Sequence, residues 1–181
     1  MGIILLDCDD VLADFATPAL GLVAVLGGPA LTPEKRFQWE IGELLNDLPA
    51  AKEQFWSTLS EPGWCSQLEP YADASHAVQE LQKLGEVVVV TSPLKRSRTW
   101  MHERTDWLKK HFGIEHSHVV NSSNKRWIHG DFLADDKPDN LRDWNHGYKF
   151  CIARSYNTFA PFARGSLAEF VEFVATRREF P

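Results

Sequence analysis

Four consecutive valines, Val87 to Val90, follow an amphipathic stretch, Asp73 to Leu84, that Gly85 brings to an end. A β-branched run without polar alternation makes a strand buried on both faces, and such strands belong to parallel sheets covered by helices. The rest of the chain repeats the theme. Gly2 to Leu6 is an apolar strand, and further short strands are expected at His118 to Asn121, around Phe132 to Ala134 and at Lys149 to Ala153. Helices are expected over Arg98 to Phe112, Pro138 to Trp144 and Ser166 to Thr176. This alternation predicts an α/β fold, a parallel sheet with helices on both faces.

One segment breaks the alternation. Val11 to Leu26 reads as a helix stopped by Gly27-Gly28-Pro29, and Pro33 to Asn46 and Ala50 to Leu59 are again helical, with no strand among them. An insertion of about 60 residues is too large for an ordinary connection. It is expected to form a small helical cap over the carboxyl edge of the sheet, with residues 15–74 as cap and 1–14 plus 75–181 as core. The 181 residues can bury a sizeable core, and 44% of them are hydrophobic. A formal net charge of −6 argues against a grip on polymeric nucleic acid and for a small ligand. Met1 to Leu6 lacks a basic leader pattern, and no apolar run is long enough to span a bilayer, so a cytoplasmic protein without a membrane partner is expected. Cys8, Cys65 and Cys151 show no metal-ligand spacing and are expected as reduced thiols.

The chemistry gathers at strand ends. The first strand runs straight into Asp7-Cys8-Asp9-Asp10-Val11, and parallel strands deliver their carboxyl ends to the ligand crevice. Carboxylates so close repel unless they share a proton or bind a cation, and a hard, oxygen-preferring ion such as Mg²⁺ fits best. The alternative is that Asp9 or Asp10 caps the next helix. Val87 to Val90 delivers Thr91-Ser92-Pro93, whose hydroxyls can donate to a phosphoryl oxygen or cap a helix. Phe132-Leu133-Ala134 delivers Asp135-Asp136, which can complete an oxygen-rich metal shell, and Lys125 lies ten residues before. His116 and His118 alternate, but no third ligand has matching spacing.

This ordered set resembles the haloacid dehalogenase-like superfamily of phosphotransferases, with an Asp-x-Asp after the first strand, a Thr or Ser after the second, a Lys, and a terminal acidic pair. The closer resemblance is to 5′(3′)-deoxyribonucleotidases. It runs through Asp7 to Phe15, Leu68-Glu69-Pro70, Thr91-Ser92-Pro93-Leu94-Lys95, Trp107 to Gly113 and Asp135-Asp136-Lys137-Pro138-Asp139. This chain departs from the family in having Ser122-Ser123-Asn124 before Lys125, where relatives carry Thr-Arg-Asp.

The resemblance implies a Rossmann-like, haloacid dehalogenase-like core and a Mg²⁺-dependent phosphatase acting on nucleoside monophosphates, deoxy forms preferred. Asp7 would attack phosphorus to form an aspartyl phosphate, and Asp9 would protonate the leaving oxygen and then activate water. Asp7, the Asp9 carbonyl and Asp135 would hold the ion, with Asp136 orienting the shell, while Thr91, Ser92 and Lys125 spread the charge of the transferring group. Phe15 and Trp56 match aromatic pocket positions of the family, and Trp39 is a further candidate for stacking a base. Large side chains in a small helical cap serve equally as its own core. Lys95 is placed to reach base or sugar, or is surface charge. A homodimer is compatible with the chain. The other readings are a phosphatase for another small phosphomonoester and a binding module for a phosphorylated ligand.

Overall fold

The computed structural model describes residues 2–177. In chain order the elements are β1 (Gly2–Leu6), α1 (Ala16–Val25), α2 (Pro49–Leu59), α3 (Ala74–Leu84), β2 (Gly85–Thr91), α4 (Trp100–Phe112) and β3 (Val119–Asn121). There follow β4 (Phe132–Asp135), α5 (Pro138–Asp143), β5 (Tyr148–Ile152), β6 (Ala163–Gly165) and α6 (Leu167–Arg177). The strands form one parallel sheet in the order β3-β2-β1-β4-β5-β6. The chain winds outward from β1 in one direction, then returns to its other side at β4. That reversal opens a crevice beyond the carboxyl end of β1, where Asp7 stands.

Side-chain alternation along the strands loads both faces. Ile4, Leu6, Val87 and Val89 pack with Val78 and Leu81 of α3, Trp107 and Leu108 of α4, and Phe170 and Val174 of α6. Leu5, Val90 and Leu133 face the other way, against Leu141 of α5 and the following Trp144. The valine run is therefore buried from both sides, as its composition requires. β1 and β2 start at a close approach: a Cβ on Gly85 would stand 2.5 Å from the Gly2 carbonyl oxygen. Gly113, at φ +66, ends α4 in the left-handed region that glycine tolerates. Among the described residues no helix is long and apolar enough to cross a membrane.

The insertion between β1 and α3 carries its own apolar cluster, in which Ala19, Leu20 and Val23 of α1 meet Phe55 and Leu59 of α2 with Ile41 and Leu45. It leaves and returns through a narrow neck. Asp14 N–H donates to the Glu69 carbonyl at 2.9 Å and Tyr71 N–H to the Leu12 carbonyl at 2.9 Å, with Ala13 and Pro70 bridged between them.

Two expectations need correction, and one strand lies where none is expected. The helix expected from Val11 begins only at Ala16, because the Cys8 carbonyl collects the N–H groups of Val11, Leu12 and Ala13 in a tight loop. Asp10 turns that loop at φ +58, and its Oδ1 accepts from Ala16 N at 3.0 Å, capping α1 from six residues away. The stretch Pro33 to Asn46 is two 3₁₀ turns, Pro33–Lys35 and Ile41–Leu45, rather than a helix. Between them the buried Arg36 guanidinium draws in the carbonyls of Gln38 at 2.8 Å and Trp39 at 2.5 Å, which fixes an irregular loop. Finally, β6 adds a short edge strand where Ala163-Arg164-Gly165 shows no apolar pattern.

Candidate active site

Asp7 continues the line of β1 by one residue, its N–H donating to the Ala134 carbonyl at 2.9 Å. This holds it beside Asp135, the last residue of β4. Lys125, from a 3₁₀ turn and almost wholly buried, bridges the two: its Nζ donates to Asp7 Oδ1 and, at 2.6 Å, to Asp135 Oδ2. Asp135 accepts on both oxygens, since Oδ1 also takes Lys137 N at 2.8 Å and Oδ2 takes Asn140 Nδ2 at 2.9 Å. Asp136 receives the Tyr156 hydroxyl on Oδ2. Thr91 ends β2 with its Oγ1 buried and without a hydrogen-bond partner among the described residues.

The electrostatics are those of a site short of positive charge. Burial pushes the Asp7 carboxyl up to about 7, with Lys125 opposing the rise and Asp135 adding to it. Burial likewise lifts Asp136 well above the carboxylate range, and Asp135 adds to that. Burial works against the Lys125 ammonium, yet Asp135 and Asp7 hold it above the usual lysine range. Asp9 is raised by burial and restrained by Arg104. One oxygen each from Asp7, Asp135 and Asp136 lies within 4.8 Å of the others. A buried, all-oxygen donor set with excess negative charge fits a hard divalent cation, and nothing in it favours a softer one.

Asp7, Asp9 and Asp136 open onto a cleft of about 520 Å³ between the sheet edge and the insertion. Asp7, Asp9, Phe15, Trp39, Trp56, Ser92, Lys95 and Asp136 all line it, whereas Thr91, Lys125 and Asp135 stand behind its wall. Trp56 rests on Gly42, where a Cβ would meet the indole at 2.6 Å. Phe15 packs edge-on to Trp64 and Trp100, with ring centroids 5.4 and 6.4 Å away. Trp39 is 41% exposed, with the Lys137 ammonium 3.5 Å from its ring centroid. Lys95 is exposed at the rim, and Ser92 Oγ donates to the Ser122 carbonyl at 3.4 Å. Phe55 is buried in the cluster of the insertion, borders the cleft and packs edge-on to Trp56 with ring centroids 5.0 Å apart. The three cysteines are free and buried, with Cys65 and Cys151 pushed up to about 12 chiefly by burial. His116 and His118 lie in a 3₁₀ turn, near Asp106 and Glu86 respectively.

Sequence reasoning missed Arg36, Arg104, Asn140 and Tyr156. Arg36 pairs with Asp10 Oδ2 at 2.5 Å, and its guanidinium lies 4.1 Å from the Tyr156 ring centroid, which links the insertion to the Asp136 side of the site. Arg104 alone left a periodic signal: it occupies the apolar stripe of α4, four residues after Trp100 and three before Trp107.

A family model described as "5′ nucleotidase, deoxy (Pyrimidine), cytosolic type C protein" matches residues 1–176. The mouse protein "5′(3′)-deoxyribonucleotidase, mitochondrial" is 30% identical over 149 residues, covering 75% of this chain. That match spans only 64% of the mouse protein's length. The human "5′(3′)-deoxyribonucleotidase, cytosolic type" is 28% identical over 180 residues, with 91% of this chain and 88% of that protein covered. Among solved structures, a haloacid dehalogenase family hydrolase from Deinococcus radiodurans, crystallised with phosphate and sodium, superposes with a TM-score of 0.61 at 10% identity over 97% of this chain and 96% of that one. A haloacid dehalogenase-like hydrolase from Streptococcus pneumoniae gives 0.60 at 11% identity, covering 96% and 98%. The fold is thus haloacid dehalogenase-like, and the chain belongs to the deoxy (pyrimidine), cytosolic type C family of 5′ nucleotidases.

Proposed function

We propose that the protein is a Mg²⁺-dependent phosphatase that hydrolyses nucleoside monophosphates, deoxy forms preferred, through an aspartyl phosphate on Asp7. The observation that carries this reading is the register of Asp7 beside Asp135, bridged by buried Lys125 at the floor of an aromatic-walled cleft. Residues 15–74 act as the cap in this reading and the remainder as the catalytic core. A cytoplasmic setting belongs to it too, as do free nucleotides rather than polymers as substrates, the latter supported by the net charge of −6.

Asp7 would attack phosphorus while the bond to the nucleoside oxygen breaks, and Asp9 would give that oxygen its proton. Asp9, then ionised, would take a proton from the water that cleaves the aspartyl phosphate, freeing phosphate and restoring Asp7. The orphaned Thr91 hydroxyl has a donor to spend on a phosphoryl oxygen, and Lys125 supplies fixed positive charge. Asp7, Asp136 and the Asp9 carbonyl are the groups suited to hold the ion. Asp135, whose oxygens already accept from Lys125, Lys137 and Asn140, serves instead to fix Lys125. Bound Mg²⁺ supplies the charge that offsets the buried carboxylates and the transferring group. Phe15, Trp39 and Trp56 would stack the base, and Lys95 would reach its rim or the sugar.

The test is phosphate release from dUMP, dTMP, dGMP, their 3′ isomers, UMP and simple sugar phosphates, with Mg²⁺ and with chelator. A chelator-sensitive preference for deoxynucleotides is expected. Equal turnover of sugar phosphates would discard the substrate and keep the chemistry, and silence on every substrate would favour a binding module.

A further inference from the structure

Arg104 is fully buried midway along α4, and very little in its surroundings accounts for a charge there. Its Nη2 donates to Asp9 Oδ1, while Nε and Nη1 have no hydrogen-bond partner among the described residues. The guanidinium lies 5.4 Å from the Trp100 ring centroid and 5.3 Å from that of Trp107. Its partner Asp9 keeps 27% of its side chain exposed, towards the cleft. Burying a guanidinium is costly, and one ion pair with a partly exposed partner returns only part of that cost, whereas an apolar side chain of similar length would fill the space without it. Stability therefore does not explain Arg104. Its one directed contact does: among the described residues no other group bonds the Asp9 carboxylate, and Oδ2 is left without a partner.

We propose that Arg104 is the positioning residue for Asp9. A carboxyl group that serves first as acid and then as base must present the same oxygen to the leaving group and later to water. Anchoring Oδ1 on a side chain locked between two indoles assigns that work to Oδ2 and stops the carboxyl group from rotating. The proposal rests on the reading of Asp9 as proton donor and acceptor given above.

The experiment compares kcat/KM, which reports the steps through departure of the leaving group, on a deoxynucleoside monophosphate and on 4-nitrophenyl phosphate, whose leaving group needs no proton. Arg104→Met is expected to lower kcat/KM for the nucleotide by about 100-fold and for the aryl phosphate by less than about threefold. Its melting temperature should be unchanged or higher. Arg104→Lys, which keeps the charge on a shorter donor, should recover part of the nucleotide rate. Equal losses on both substrates, or failure of Arg104→Met to fold, would make Arg104 a structural support and overturn the proposal. Asp9→Asn is run alongside. If it too spares neither substrate selectively, the role given to Asp9 is what fails; if it shows the leaving-group dependence and Arg104→Met does not, only the proposal for Arg104 falls.

Discussion

Asp7→Asn should make the metal-free protein more stable while abolishing its turnover. In the folded chain burial raises the Asp7 carboxyl to about 7 from an ordinary 3.8. At about 1.4 kcal/mol per pH unit, ionising it in place costs about 4 kcal/mol once the pH exceeds both values. The sign follows from the direction of the shift. A folded value above the unfolded one gives a contribution that is favourable below about pH 4, shrinks as the pH rises, and is lost by about pH 7. Metal-free wild type should therefore lose stability across that window, with Asp9 and Asp136, which are shifted the same way, adding to the loss. Asparagine keeps the shape and an acceptor for Lys125 and has nothing to ionise. For a chain of this length the gain corresponds to a rise in melting temperature on the order of 10 °C at about pH 8, and to little near pH 4. Thermal melts in chelator across that range measure it. Excess Mg²⁺ should then raise wild type and leave the variant where it was. A variant no more stable than wild type at pH 8, or a gain independent of pH, would refute the view that the site holds uncompensated buried charge.

Two further substitutions separate roles within the site. Asp136→Asn should weaken Mg²⁺ binding more than Asp135→Asn, by about 10-fold or more in calorimetric titration, because Asp135 already spends its oxygens on Lys125, Lys137 and Asn140; the opposite order would return Asp135 to the metal. Gly42→Ala puts a methyl group 2.6 Å from the Trp56 ring and should displace it, lowering nucleotide kcat/KM by about 10-fold while sparing an aryl phosphate. Equal losses would leave Trp56 with packing alone.

Much of the site's edge could be read from the chain because a parallel sheet sends every strand's carboxyl end to the same side. Strand runs such as Gly2 to Leu6 and Val87 to Val90 carry their own signal, and Asp7, Thr91 and Asp135 are simply what comes next. Lys125 becomes legible through its distance from that edge, although its burial between two carboxylates does not. The loops behave differently. Asp10 caps a helix six residues away and pairs with an arginine 26 residues away, so the tight turn that delays α1 has a tertiary cause invisible to local pattern. Tyr156 reaches Asp136 from a loop with no periodicity. Arg36 converts an expected helix into an irregular loop by outcompeting its backbone ladder. β6 forms because β5 offers an open edge, and Ala163-Arg164-Gly165 needs no apolar face to take it.

The neck formed by residues 12–14 and 69–71 has a further consequence. Because the excursion begins and ends at hydrogen-bonded neighbours, the sheet experiences everything beyond that point as a single closed detour. A change inside the detour is felt at its contacts with the sheet and its helices, among them Arg36 with Asp10, Trp39 with Lys137, Trp64 with Trp100 and Leu68 with Trp107. If the proposed function holds, such an attachment would let substrate preference drift through one exchangeable segment while the acidic strand ends stay constant.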